Sequence, residues 1–161
     1  MNKAEVYAFL EENGIVFEIT EHKAVFNMEE AYEIELPYPD REAKNLFVRD
    51  DKKRNFYLIT VKGDKRVDLK EFRRRRNLRA LSFASEEDLR AVLGLEAGSV
   101  TPLGILNDAE NRVRFYLDSE FDGGLIGVHP NENTATVWLP AADLMKIIRE
   151  HGNEAEFVEI M

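Results

Sequence analysis

A single domain of mixed α/β class is the fold this sequence predicts over residues 1–161: an α+β arrangement in which a mixed, mostly antiparallel sheet is flanked by helices. Three observations predict it. Segments of helical period alternate with short runs rich in β-branched and aromatic residues. No repeat, low-complexity tract or Pro/Gly linker divides the chain, and its length suits one core. The composition, 44% hydrophobic and 33% charged, is that of a globular domain, not a disordered one.

The elements follow in order. Residues 3–12 set Val6, Phe9 and Leu10 on one stripe, so a helix is expected, ended by Asn13-Gly14 with glycine as a left-handed cap. Residues 15–19 read as a strand. Asn27 is placed to cap a short helix through Glu33, with Glu29 and Glu30 in its favourable first turn. Pro37 and Pro39 then break the chain. Residues 43–49 and 55–61 read as paired strands, with the charged DDKKR as their turn. Asp68 caps a helix through Arg75, and residues 81–84 are extended. Ser85 and Asp88 form a capping box for a helix that stops at Gly94. Strand-like segments follow at 98–106, 112–117, 124–128 and 134–139. Pro140 opens a last helix at the position that tolerates proline, with Leu144, Ile147 and Ile148 as its apolar face and Gly152 at its end. Residues 156–160 add a final strand.

Composition excludes several classes of chemistry. With no cysteine there is no disulfide, thiolate metal site or cysteine nucleophile. The three histidines, His22, His129 and His151, are too scattered for a zinc motif. No G-x-S-x-G or Walker loop is present. The charged N-terminal segment lacks a signal-peptide apolar region, and no stretch is apolar enough to span a bilayer, so the expected location is cytoplasmic. The net charge of −9 argues against nucleic acid until its distribution is considered. Between Lys62 and Arg79 nine basic residues oppose three acidic ones, a local charge of +6. Such a segment is either a solvated helix of mixed charge or a basic face for a phosphate backbone.

Three places can carry chemistry. Lys44 lies on a strand with apolar residues on both faces, so it either snorkels from the strand end or stands as a fixed cation over a phosphate or carbonyl oxygen. Asn45 points to the opposite face, suited to an edge hydrogen bond or to holding a loop or a ligand hydroxyl. Gly98-Ser99-Val100-Thr101-Pro102 is an ordinary turn or a loop that offers amides to an oxyanion. His129, at a strand end before a polar loop, is either a turn cap or a group that binds a ligand hydroxyl.

Taken together, AKNLFVRD, YLITVKGDKRVDLK, LSFAS, GSVTPLG and FDGGLIGVHPNENTATVWL, in that order, resemble the free-standing bacterial prolyl-tRNA editing proteins. This YbaK-like group is related to the insertion domain of bacterial prolyl-tRNA synthetase. The resemblance covers nearly the whole chain. KNLFVRD, KRVDLK and GVHPNENTATVW are most similar to the alanyl-tRNA(Pro) deacylase branch, with the cysteinyl-tRNA(Pro) branch as the rival. It implies the editing-domain fold and a deacylase that releases alanine from tRNA(Pro) and spares proline, or else a non-catalytic tRNA-binding homologue. The essential lysine falls on Lys44, the branch asparagine on Asn45, the Gly-x-x-x-Pro loop on Gly98 and Pro102, and the branch histidine on His129. Many relatives carry His-Pro where this chain has His22-Lys23.

On that basis Lys44, Gly98, Ser99, Thr101 and His129 are expected to act in catalysis, with water as the nucleophile. Asn45, Phe26, Met28, Phe47, Pro102 and Arg79 are expected to bind substrate, Phe26, Met28 and Phe47 as pocket walls and Arg79 with the basic segment on the acceptor stem. No cofactor and no metal is implied. The implied partners are the alanine-bearing acceptor end of tRNA(Pro) and, as a further candidate, prolyl-tRNA synthetase, with neither membrane nor DNA.

Overall fold

The computed structural model describes residues 1–23 and 36–160. The expected helix at Asn27 and the candidate pocket walls Phe26 and Met28 lie outside the described residues. Helix α1 (Lys3–Glu12) starts with a full capping box: the Asn2 side chain accepts from the Glu5 amide at 2.8 Å, and the Glu5 carboxylate accepts from the Asn2 amide at 3.1 Å. Its last turn is closed by the Ile15 amide donating to the Leu10 carbonyl at 3.0 Å. That closure consumes the residues expected to open the first strand, so β1 (Glu18–Glu21) begins later.

Strands β2 (Ala43–Asp50) and β3 (Phe56–Lys62) form the expected antiparallel hairpin. Helix α2 (Leu69–Arg76) follows with Asp68 as its cap, then β4 (Leu81–Phe83). The capping box of Ser85 and Asp88 opens α3 (Glu86–Asp88), which continues as a π-helical turn, Leu89–Leu93, to Gly94 at φ +65°. Residues 98–106 do not form the expected strand. Thr101 instead caps a 3-10 helix, Pro102–Asn107, by accepting from the Leu103 amide. Proline at its first position has no donor for a sheet ladder but fits a helix start, which explains the difference.

Then come β5 (Val113–Asp118), β6 (Leu125–Val128), β7 (Ala135–Pro140), α4 (Ala141–His151) and β8 (Ala155–Val158). Pro140 stands at the cap itself, one position before its expected place. Among the described residues the strands divide between two sheets. One is mixed, with order β4-β2-β3-β5-β8; the other is antiparallel, with order β1-β7-β6. An isolated bridge between Glu42 and Gly127 joins them where β2 begins. The larger apolar core, with Phe47, Phe56, Phe115, Val137 and Leu144, lies on one face of the five-stranded sheet. A smaller cluster of Val48, Ile59, Val61, Phe72 and Tyr116 lies on the other, under α2. Among the described residues no helix is long and apolar enough to cross a membrane.

Candidate active site

In the β2–β3 ladder Lys44 pairs with Val61 and Asn45 with Thr60. Because strand side chains alternate, Lys44 and Asn45 leave by opposite faces. Asn45 is spoken for on both ends of its amide. Its oxygen accepts from the buried Thr60 hydroxyl at 2.6 Å, and its nitrogen donates to the Val100 carbonyl at 3.2 Å. It therefore ties the five-stranded sheet to the loop 98–102.

The next link belongs to Thr101, which is fully buried. Its hydroxyl donates to the His129 carbonyl at 2.7 Å and accepts from the Leu103 amide at 3.3 Å. With both functions used, the Thr101 hydroxyl locks the loop to the histidine. The Ser99 amide is likewise committed, to the Glu96 carbonyl at 3.1 Å. Among the described residues the Gly98, Val100 and Thr101 amides have no acceptor; Thr101 is wholly buried, so the exposed Gly98 and the half-buried Val100 carry the loop's available donors. Gly98 stands at φ +88°, a backbone state that glycine adopts without strain. Pro102 is buried at the start of the 3-10 helix, where it sets the loop's direction.

His129 is held by two neighbours. Its Nδ1 lies 3.1 Å from the Ala135 carbonyl, which can only accept. Nδ1 therefore carries the proton, and in the neutral ring Nε2 presents a lone pair. Burial pushes the pKa of His129 below the ordinary histidine value, and the nearby His22 adds to this against the Ala135 carbonyl. His22 meets it edge-on, with ring centres 6.2 Å apart, and is itself fixed by the Lys23 carbonyl at 2.8 Å and the Thr136 hydroxyl at 3.2 Å. Glu42 stands near by, its carboxyl pushed up by burial and held back by His22. The approach of β6 to this corner requires Gly127, since a Cβ there would lie 2.3 Å from the Trp138 ring.

The Lys44 ammonium, half-buried, donates to the Lys65 carbonyl at 2.8 Å on the far face of β2. No direct contact joins it to His129 among the described residues. Phe47 is 5% exposed and stacked on Phe56 with ring centres 5.5 Å apart, within the larger apolar core. Arg79 binds Asp51 in the hairpin turn. Six residues of strand separate that turn end from Lys44, about 20 Å. The basic segment is also more neutralised than its charge suggests: Arg74 and Arg75 pair with Glu71, and Arg76 lies 3.7 Å from Glu156. An open groove of about 760 Å³ beside α2 is lined by Asp68 and Glu71 as well as Lys70, Arg73 and Arg74. Among the described residues no three potential ligands gather into a metal site.

Sequence reasoning missed Thr60, Glu42 and Lys65. Thr60 sits in an apolar strand with nothing local to mark it, and the other two act through neighbours remote in sequence. The His22-Lys23 position was visible, but only as a departure from relatives.

Residues 22–147 match the family model of the aminoacyl-tRNA editing domain. The prolyl-tRNA editing protein ProX of Acetoanaerobium sticklandii is 39% identical over 98% of this chain and 97% of its own. The prolyl-tRNA synthetase associated domain-containing protein 1 of Bos taurus is 32% identical, over 96% and 95%. A crystal structure of a protein proposed to be a trans-editing enzyme for prolyl tRNA synthetase superposes with a TM-score of 0.72 at 22% identity, covering 98% of this chain and 95% of that one.

Proposed function

This chain belongs to the aminoacyl-tRNA editing domain family, whose chemistry is deacylation, and from that premise we propose that it is a trans-editing hydrolase that cleaves alanine from mischarged tRNA(Pro) and spares proline. The observation that carries the reading is the chain of contacts from Asn45 through Val100 and Thr101 to His129. It sets uncommitted loop amides beside a neutral histidine.

The reaction is attack of water on the ester carbonyl at the terminal ribose. The Gly98 and Val100 amides receive the developing oxyanion, where fixed donors stabilise the transition state most. His129 Nε2 accepts from a ribose hydroxyl or from the attacking water, and its lowered pKa keeps it in the accepting form at neutral pH. Lys44 keeps two ammonium protons beyond the one given to Lys65, enough for a phosphate or the ester oxygen. Neither Asn45 nor Thr101 needs to touch substrate; each sets the geometry. Selection against proline is steric. A pocket shaped for a methyl excludes a ring, whereas a synthetase pocket built for the ring rejects a smaller side chain only by roughly 10- to 200-fold per methylene.

The test is deacylation of Ala-, Cys- and Pro-tRNA(Pro) by wild type and by Lys44→Ala. Fast loss of alanine that depends on Lys44, with proline retained, is expected. Release of cysteine in preference to alanine moves the protein to the sister specificity, and no release by wild type leaves a tRNA-binding homologue.

A further inference from the structure

The KGDKRVDLK stretch, residues 62–70, plays no part in the reaction just described, yet it touches Lys44. On the face of the five-stranded sheet opposite Asn45, three residues stand abreast at one end. Lys44 on β2 pairs with Val61 on β3, and β5 runs parallel to β3 with Leu117 beside Thr60, so Asp118 falls beside Val61. Two strand spacings separate Lys44 from Asp118, about 10 Å, too far for a direct ion pair.

Lys65 fills that gap with both ends of the residue. Its carbonyl accepts from Lys44 Nζ at 2.8 Å. Its own Nζ reaches Asp118 Oδ2 at 2.5 Å and Glu120 Oε1 at 2.9 Å. Asp118 is 1% exposed, and its other oxygen accepts from the Glu120 amide at 3.3 Å, so the anchor is fixed at both oxygens. The turn is pinned through its backbone as well: the Gly63 amide donates to the Glu42 carbonyl and the Lys65 amide to the Lys62 carbonyl, each at 3.0 Å. Burial alone would lower the Lys65 ammonium, but its bonds to Asp118 and Glu120 hold it above the usual lysine range. The Lys65 ammonium is therefore charged at neutral pH.

We propose that Lys65, held by Asp118, is a positioning residue for Lys44, and that its carbonyl sets where the Lys44 ammonium stands. The arrangement grips a cation through a neutral carbonyl. Lys44 is therefore fixed in direction without losing its charge, and the carboxylate that supplies the anchor is kept a residue's length away. A carboxylate in direct contact with Lys44 would hold it equally well and cancel the charge that a phosphate or carbonyl oxygen needs. This inference rests on the role given to Lys44 above.

The experiment compares Lys65→Met, Lys65→Arg and Asp118→Asn in deacylation of Ala-tRNA(Pro) and, separately, in the lysine ammonium resonances of the free protein by NMR. Lys65→Met is expected to shift the Lys44 resonance and to lower kcat roughly 10- to 100-fold, the size of effect that a displaced catalytic group produces. Lys65→Arg, which retains a cation for Asp118, restores most of both. In a Lys44→Ala background the Lys65→Met change adds little, because the two act as a unit. Asp118→Asn gives the same pattern in milder form and stands in if Lys65→Met does not fold. An unmoved Lys44 resonance with unchanged kcat in Lys65→Met, or in Asp118→Asn where that variant stands in, overturns the proposal. If Lys44→Ala keeps full activity, the catalytic reading of Lys44 fails, while the resonance still decides whether Lys65 positions it.

Discussion

The two ends of the β2–β3 hairpin carry similar side chains and employ them differently. At the turn end charge meets charge: Arg49 pairs with Asp88, and Arg79 with Asp51. The Asp50 carboxylate there accepts from the Arg54 amide at 3.0 Å and the Asn55 side chain at 2.7 Å, which shapes the turn. At the other end Lys44 and Asn45 are held by neutral carbonyls and a hydroxyl. The difference teaches how to separate structural from functional charge. A cation matched to a carboxylate has its field cancelled at close range, whereas one oriented by a peptide dipole still presents it to a ligand.

That contrast can be broken most severely at Asn45. Asn45→Ala leaves the buried Thr60 hydroxyl without its acceptor and releases the Val100 carbonyl. A loss of about 1–3 kcal/mol in denaturant unfolding is expected for an orphaned buried group. Deacylation should fall further, by roughly 100-fold, since the donor loop shifts away from its productive geometry. Equal stability losses with normal kcat would separate the loop from the chemistry. Thr101→Val is the milder version. The His129 carbonyl loses one donor, so a stability loss at the lower end of about 1–3 kcal/mol is expected, with a smaller drop in kcat.

The histidine provides a sharper test through pH. The lowered pKa of His129 means that the neutral ring survives below the ordinary histidine value. Activity limited by His129 should hold as pH falls to about 6.5, the reference value, and decline only beneath it. Stability follows the same sign: the unfolded chain takes up the proton first, so His129 favours folding above the unfolded pKa and that contribution is lost as pH falls towards the folded one. Glu42 works in reverse. Its raised pKa makes the charged form unfavourable in the folded state, so its contribution is full below the unfolded pKa and is lost as pH rises through the folded value. Glu42→Gln should therefore raise Tm slightly at neutral pH and leave it unchanged in acid. A profile of deacylation and Tm between acid and neutral pH reads both groups, and an acid limb above the ordinary histidine range would refute the assignment to His129.

Much of this was legible in the residues. Asn2 was overlooked, but the caps at Asp68 and Ser85, the turn at DDKKR and the stop at Gly94 all rest on local chemistry, and the structure keeps them. The alternation of β2 correctly sends Lys44 and Asn45 to opposite faces. What failed depended on partners elsewhere. The loop 98–106 looks extended because Val, Leu and Ile have strand preferences, yet Thr101 capping Pro102 decides its conformation. The stacking of Phe47 on Phe56 likewise joins residues nine apart, which no strand period announces. The division of the strands into two sheets, and the part played by Thr60, are settled by pairings that no short window contains.

The smallest effect is expected at Arg79. It lies in the most basic stretch of the sequence, but its guanidinium already holds both oxygens of Asp51, at 2.5 and 3.1 Å, and both partners are exposed. Exposed pairs of this kind contribute little to folding, so neither Arg79→Ala nor Asp51→Asn should move Tm measurably. For tRNA binding the two variants diverge. If Arg79 exchanges Asp51 for a phosphate on binding, Arg79→Ala weakens affinity and reduces the slope of log K against log salt by about 0.7 to 0.9. Asp51→Asn then strengthens binding, because it frees the cation. If the pair stays closed, both variants bind as wild type does, and the phosphate contacts fall to Arg66, Lys70 and Arg73, which have no carboxylate partner among the described residues. A filter-binding salt titration of the two variants beside wild type distinguishes these outcomes, and tells whether the hairpin's turn end is only structural.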